Sequence, residues 1–378
     1  MEKRYVYFDN AASTPVDPEV LHAMEKCQRD VFGNPSSVHD HGRKARVVIE
    51  QSRRKVAEII NVSPSEVFFT SGGTEANNAV LWGCALDNHI RNIITSPLEH
   101  PAVLRAAELI SGVKGTGFHQ VSIDSKGHID LEDLARLLKK HPASLVSLMH
   151  ANNETGNLLA VKQVAALCSD YNALFHSDTV QTIGKFEIDM QKLGFDYAVA
   201  SAHKFHGPKG AGFMVIRGGR PFTPFIRGGG QERNMRAGTE NVCGIAGTSM
   251  ALELSAQRKE SDRLYISELK FSLMDLLRRG IPEVEFNGDA EGSSLHTIIN
   301  ISLPVAVDPE MLLPLLDIEG FSISTGSACA SGSNKGSHVL AALGRSGREA
   351  SLRVSFSRYN TIDEVRDLAG VLRRICNS

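Results

Sequence analysis

Short apolar segments alternate with amphipathic segments along the chain up to residue 216. Apolar runs of this length, rich in Val, Ile and Phe, are typical of buried strands, and they occupy 67–70, 92–95, 144–149, 173–176, 197–200 and 212–216. Amphipathic segments between them, such as 131–140 and 161–171, have the helical period. This alternation predicts an α/β domain with a mainly parallel sheet flanked by helices.

The pattern changes in the last part of the chain. A long helical pattern runs from about Glu240 past Arg279. Strand patterns follow at 297–303 and 352–356, with helical patterns at 309–316, 338–343 and 362–376. This order predicts a smaller α+β domain, and the boundary between the two domains falls inside the long helix. We assign residues 15–258 to the large domain, and residues 1–14 and 259–378 to the small one.

Composition excludes several classes of protein. The chain has 378 residues and a formal net charge of −2, so no basic field suggests direct nucleic-acid binding. No apolar run is long enough to cross a bilayer, and the N-terminus MEKRYVYFDN is not a signal peptide. The six cysteines are scattered without a C-x-x-C pair, which argues against a disulfide framework or a cysteine-rich metal site. We therefore expect no metal and a reducing cytoplasmic location.

Polar residues follow five of the predicted strands. The segments after these strands are Ser71–Glu75, Ser96–His100, His150–Glu154, Ser177–Gln181 and Ser201–Lys204. In open α/β sheets, ligands bind beyond the carboxyl ends of the strands. Any one of these segments could be an ordinary loop, but together they predict a single pocket.

Three features of this predicted pocket carry recognisable chemistry. The sequence Ser71-Gly72-Gly73-Thr74 opens a helix, where free N–H groups favour an anion such as phosphate. Asp178 ends an apolar strand and needs a cationic partner, for which a protonated pyridine nitrogen is suited. Lys204 follows a buried strand and could form a Schiff base. Taken singly, the glycine turn and Asp178 could each be an ordinary helix cap, and Lys204 could be a surface lysine. Together, the three features indicate pyridoxal 5′-phosphate (PLP).

The ordered set of motifs resembles the cysteine desulfurases of the NifS/IscS type, which are PLP enzymes of fold type I in the class V aminotransferase group. The similarity covers nearly the whole chain. It is carried by FDNAAST (8–14), GNPSSVH (33–39), TSGGTE (70–75), NNETG (152–156), SAHK (201–204), RAGTEN (236–241) and GSAC (326–329).

The resemblance implies a role for each matching residue. Lys204 would hold the cofactor covalently, and His100 would stack on its ring. The other cofactor-binding residues would be Gly73, Thr74, Asp178, Gln181, Ser201, His203 and Thr239. Among them, Gln181 would contact the phenolic oxygen of the cofactor. Thr239 would reach the phosphate of the other subunit's cofactor, which implies a homodimer. The substrate L-cysteine would be bound by Asn34, Asn153 and Arg353, and the catalytic residues would be Lys204, His100 and Cys329.

Cys329 lies in the sequence STGSACASGS, a run of small residues in which a thiol has room to move. The resemblance implies that Lys204 abstracts a proton and that Cys329 then attacks the substrate sulfur. The products would be L-alanine and a persulfide on Cys329, in a mobile loop at about 322–337. The sulfur would pass to an iron–sulfur scaffold or another acceptor, for cluster assembly or for thiolation of tRNA or cofactors.

Other functions remain open at this stage. A selenocysteine lyase or a cysteine sulfinate desulfinase of the same fold would not depend on the mobile thiol. A non-catalytic scaffold that kept the fold would have no reason to keep Lys204. A nucleotide-binding dehydrogenase would carry G-x-G-x-x-G, which the sequence lacks.

Overall fold

The computed structural model describes residues 5–87, 89–304, 309–326, 336–345 and 350–377. Its strands are β1 (Val6–Tyr7), β2 (Val67–Thr70), β3 (Asn92–Thr95), β4 (Gly117–Gln120), β5 (Ser144–Ser147), β6 (Leu174–Asp178), β7 (Tyr197–Ser201), β8 (Gly212–Ile216), β9 (Glu285–Asn287), β10 (Ile298–Leu303), β11 (Phe321–Ser322) and β12 (Ala350–Ser355). Its helices are α1 (Pro18–Asp30), α2 (Asp40–Ile59), α3 (Gly73–Leu86), α4 (Pro101–Lys114), α5 (Leu131–Lys140), α6 (Val161–Asp170), α7 (Met190–Leu193), α8 (Val242–Gly280), α9 (Pro309–Ile318), α10 (His338–Ala342) and α11 (Ile362–Asn377).

A seven-stranded sheet forms the centre of the fold, in the order β2-β8-β7-β6-β5-β3-β4. All pairs from β7 to β4 are parallel, and only β8 runs antiparallel to its two neighbours. Every residue of β2, β5, β7 and β8 is buried, as expected for strands covered by helices on both faces. The predicted α/β fold with a mainly parallel sheet is confirmed.

A second hydrophobic core lies around two smaller sheets. β9, β10 and β12 form an antiparallel sheet, and β1 pairs in parallel with β11. This core is separate from the clusters around the large sheet, and Phe8, Leu273, Ile299 and Leu352 are completely or almost completely buried in it. Thus the N-terminal segment packs together with residues from the last third of the chain.

Helix α8 connects the two cores. The side chain of Asn241 caps its first turn by accepting a hydrogen bond from the Gly244 amide, at 3.0 Å. Leu252 in its first half packs in the core of the large sheet, whereas Leu269 and Leu273 in its second half pack in the other core. The domain boundary that we place at residues 258–259 stays a prediction.

A buried ion pair joins α2 to the loop after β8. Arg53 and Glu232 are both almost fully buried, and the two guanidinium nitrogens Nη1 and Nη2 donate to the carboxylate at 2.7 and 2.8 Å. Glu232 also accepts a hydrogen bond from the Phe69 amide of β2, at 2.7 Å. The carboxylate therefore connects a helix, a strand and a loop in one polar network.

Replacing Glu232 with alanine is expected to lower the free energy of unfolding by about 3–5 kcal/mol, because it leaves the Arg53 cation buried without its main partner. Urea unfolding followed by circular dichroism measures this loss. Glu50→Ala is the matched control, since Glu50 also contacts Arg53 but its side chain is 36% exposed. It should cost no more than about 1 kcal/mol. Equal losses in the two variants would contradict this account of the network.

Candidate active site

A cleft of about 610 Å³ lies at the carboxyl ends of the central strands. The loops after β2, β3, β5, β6 and β7 all contribute to it, together with Arg353 from β12 and the N-terminal segment at Ala11–Ser13. Predicted site residues that line it are Gly73, Thr74, His100, Asn153, Asp178, Gln181, Ser201, His203, Lys204 and Arg353. The structure thus brings the five predicted strand ends to one site.

The turn between β2 and α3 forms one wall of the cleft. Gly72 has a φ of +149°, and a Cβ atom on Gly73 would lie only 2.7 Å from the Val180 side chain. Both positions therefore need glycine, which brings the backbone close to any ligand. Among the described residues, no side chain caps the N-terminus of the fourteen-residue helix α3, whose first residues line the cleft, and Thr74 adds an exposed hydroxyl. This wall fits a phosphate group.

Asp178 is buried at the end of β6. The Asn77 side-chain amide donates to its Oδ2 at 2.7 Å, and the Val180 backbone amide donates to its Oδ1 at 3.0 Å. Both donors are neutral, so neither supplies the positive charge that a cationic ring nitrogen would bring to this carboxyl group. The sequence argument found Asp178 but not Asn77, although Asn77 stands in the same segment as the glycine turn.

Lys204 lies in a short 3-10 turn directly after β7. Its Nζ atom donates to the backbone carbonyls of Ala11 and Ala12, at 2.6 and 2.8 Å. The amine is therefore held in the cleft by two carbonyls from the N-terminal segment. The fit of a phosphate wall, a carboxylate for a ring nitrogen and a lysine amine in one cleft matches the groups of PLP.

Two histidines beside Lys204 are held neutral. Burial, and then the charge of Lys204, lowers the pKa of His203 to about 4. Burial also lowers the pKa of His100, although the nearby Asp178 charge opposes this shift. His100 begins α4, and its Nδ1 accepts a hydrogen bond from the Ala102 amide at 3.1 Å. A neutral imidazole fixed in this way is suited to stack on an aromatic ring.

Arg353 provides a guanidinium for a substrate carboxylate. Its Nη1 donates to the Asn153 carbonyl at 2.9 Å, and its Nη2 donates to Asp9 at 2.8 Å. Its Nε atom is buried and has no hydrogen-bond partner among the described residues. The guanidinium lines the cleft, so its positive charge favours a carboxylate bound there.

Glu99, which the sequence argument did not single out, does not line the cleft itself but precedes His100, which does. It is completely buried beside His100, and its Oε1 accepts hydrogen bonds from the Met149 amide and the Ser96 hydroxyl, at 2.9 and 3.1 Å. Burial raises the pKa of this carboxyl group to about 8. Glu99 is therefore mostly protonated at neutral pH and adds little negative charge near Asp178. The sequence feature that could have identified Glu99 is its position in the Ser96–His100 segment, which follows a predicted strand.

Glu154 contacts residues on both sides of the segment that contains Cys329. The Ser337 hydroxyl donates to its Oε2 at 2.5 Å, and a Cβ atom on Gly326 would lie 2.6 Å from that same oxygen. Residues 327–335, which include Cys329, lie outside the described residues. The residues that flank this segment therefore meet next to Asn153 in the wall of the cleft.

Two predicted site residues do not line the cleft of this single chain. Asn34 is exposed, and its side-chain oxygen accepts a hydrogen bond from the Ser36 amide at 2.9 Å. Thr239 is also exposed, three residues after Arg236, which pairs with Glu75 at 2.8 Å in the first turn of α3. Their roles stay predictions.

Sequence comparisons assign the chain to a family. The aminotransferase class-V family matches residues 6–368. A cysteine desulfurase IscS of Dictyoglomus turgidum is 40% identical over 377 residues, which cover 99% of this chain and 95% of the relative. A cysteine desulfurase of Sinorhizobium fredii is 41% identical over 366 residues, covering 96% of this chain and 94% of the relative.

Comparison with solved structures gives the same result. A NifS-like protein superposes with a TM-score of 0.91 at 39% identity, and 99% of each chain is covered. The structure of SspA in complex with cysteine superposes with a TM-score of 0.80 at 30% identity, covering 94% of this chain and 99% of that one. These matches, together with the cleft, show that the chain belongs to the class-V aminotransferase family, among its PLP-dependent cysteine desulfurases.

Proposed function

We propose that the cleft described above is the active centre in which this chain removes sulfur from L-cysteine, with Cys329 as the sulfur acceptor. The observation that carries this proposal is the convergence of Lys204, Asp178 and Arg353 in one cleft. Each supplies a different requirement: an amine for the cofactor, a carboxylate for its ring nitrogen and a guanidinium for the substrate carboxylate.

PLP would be held by the wall at Gly73 and Thr74, with Ser201 and His203 beside its phosphate. When bound, PLP supplies an electron sink that weakens the bonds of the substrate carbon next to the amine. Asp178 would keep the ring nitrogen protonated, because a cation there balances its buried charge. His100 would pack against the ring in its neutral form.

Lys204 and Arg353 would act on the substrate itself. Arg353 would attract the carboxylate through the positive charge of its guanidinium, and Asn153 lines the same cleft. Lys204 Nζ stands in the same cleft and can take a proton from the substrate carbon and return one later. For this proton transfer, the Lys204 amine must be neutral when it accepts the proton.

Cys329 would receive the sulfur as a thiolate. Its sulfur forms a bond to the substrate sulfur while the bond between that sulfur and the substrate Cβ breaks. The electron pair of the broken bond stays with the carbon fragment, which takes up protons and leaves as L-alanine. Cys329 is left as a persulfide, so the sulfur is ready for transfer to a second thiol.

We also propose that the enzyme acts as a homodimer in the reducing cytoplasm and passes sulfur to an iron–sulfur scaffold or a similar acceptor protein. Thr239 is exposed, and Arg236 anchors its segment to the phosphate wall through Glu75. An exposed hydroxyl so placed is suited to reach the cofactor phosphate of a second subunit. Among the described residues, none of the helices has the length and apolarity needed to cross a membrane.

The direct test is turnover of L-cysteine by the purified, PLP-loaded protein in the presence of a reductant. Equal amounts of L-alanine and sulfide are expected, with L-serine as an inactive control because it has no sulfur to transfer. Sedimentation equilibrium should give twice the 41.0 kDa mass of one chain. Activity towards L-selenocysteine but not towards L-cysteine would contradict the proposal in favour of a selenocysteine lyase.

A further inference from the structure

Lys185 lies behind the cleft, in the turn that follows β6. Its Nζ atom donates to the side-chain oxygen of Gln181 at 3.0 Å. The turn is fixed by Gly184, whose φ is +81° and where a Cβ atom would lie 2.5 Å from Phe205. This position therefore requires glycine, and the next residue, Lys185, contacts Gln181 from the same turn.

Gln181 in turn is held at both ends of its amide. Its Oε1 accepts from Lys185, and its Nε2 donates to the Ala11 carbonyl at 3.0 Å. The Ala11 carbonyl can only accept, and Lys185 in its protonated form can only donate, so both contacts require the same orientation of the amide. With its oxygen occupied by Lys185, Gln181 presents an N–H group, and not an oxygen, to the cleft that it lines.

We propose that Lys185 is a positioning residue for the cofactor: it holds the Gln181 amide so that an N–H group faces the phenolic oxygen of bound PLP. This inference rests on the proposed role of Gln181 and names the residue on which that role depends. Lys185 does not line the cleft, so it acts through Gln181 and does not touch the reacting atoms.

The charges around Lys185 also bear on the test. Burial, followed by the charges of Lys204 and Arg353, lowers the pKa of Lys185 to about 7. The titratable and charged groups that interact electrostatically with Lys185 are Lys204, Arg353, His203, His206 and His296. Removing Lys185 could therefore change the protonation of Lys204 directly, and the experiment must separate this effect from the effect through Gln181.

A double-mutant cycle separates the two effects. The variants are Lys185→Met, Gln181→Ala and their combination, and the readout is the pH midpoint at which the visible absorption band of bound PLP shifts. An amide donor to the phenolic oxygen favours the deprotonated form, so its loss raises the midpoint. A hydrogen bond of about 0.5–1.5 kcal/mol corresponds to a shift of roughly 0.4–1 pH unit.

Lys185→Met and Gln181→Ala should each raise the midpoint, and Lys185→Met should have no further effect when Gln181 is already alanine. Lys185→Arg, which keeps a donor, should stay closer to the wild type. Lys259→Met is the matched control, because Lys259 lines the same cavity behind the cleft but pairs with Glu187. It should leave the midpoint unchanged.

Each other outcome has a distinct meaning. An equal shift by Lys185→Met in both backgrounds would show a direct charge effect and overturn the positioning role. No shift by Lys185→Met, with a shift by Gln181→Ala, would also overturn it. No shift by Gln181→Ala would contradict the proposed role of Gln181 itself. Thermal unfolding of each apo-protein shows whether a variant is merely destabilised, which would not by itself move the midpoint.

Discussion

The variant Cys329→Ala is expected to lose about 10³-fold or more of its alanine formation from L-cysteine. Without the thiol, an external thiol must diffuse to the substrate sulfur, and the advantage of a nucleophile on the same chain is lost. The PLP absorbance should remain that of the wild type, because the substitution leaves unchanged every residue that would hold the cofactor. Quantifying alanine by mass spectrometry under saturating L-cysteine measures the effect.

A second substrate supplies the control for this prediction. L-cysteine sulfinate can lose its sulfur group as a leaving group, without attack by a thiol. Cys329→Ala should therefore retain whatever activity the wild type has towards this substrate. Cys376→Ala is the matched cysteine control and should behave as the wild type, since Cys376 packs against the second core, away from the cleft. Wild-type turnover of L-cysteine by Cys329→Ala would contradict the proposed role of Cys329.

The variant Lys204→Ala is expected to lose both the covalent hold on PLP and about 10²–10⁴-fold or more of the activity. The activity falls because no other amine replaces Lys204 Nζ as the group that moves the substrate proton. Reduction with borohydride followed by intact mass measurement checks the first effect. The wild-type chain should gain the mass of the reduced cofactor, and the variant should not.

Lys209→Ala is the matched control for Lys204, because Lys209 lines the same cleft. It should retain the covalent cofactor, and any loss of activity should be small. Retention of the covalent cofactor by Lys204→Ala would show that a different lysine holds PLP, and the account of the cleft would then be wrong.

The elements of this fold that could be predicted are those that the local pattern of apolar and polar residues determines. The apolar runs that became β2, β3 and β8 have the predicted bounds, because each is a short apolar segment with turns, bends or a 3-10 helix at its ends. The two-residue strands β1 and β11 were not predicted. Two residues are too few for a periodic pattern, and these strands form only through their pairing with each other.

The same distinction applies to the candidate site. Lys204 and Asp178 were predicted because each directly follows or ends an apolar strand, where ligands bind in this class of fold. The contacts of Lys204 with the Ala11 and Ala12 carbonyls could not be predicted, because every residue has a backbone carbonyl and the sequence does not show which of them face Lys204. Asp9 is 344 residues from its partner Arg353, and only the folded chain brings them together.

Single turnover without reductant tests the central claim most directly. The PLP-loaded wild type is mixed with L-cysteine, and the alanine released and the intact protein mass are measured together. The account predicts one alanine and one added sulfur per active site, with the sulfur on the peptide that contains Cys329. Alanine released without a gain in mass, or sulfur found on a different cysteine, would contradict it.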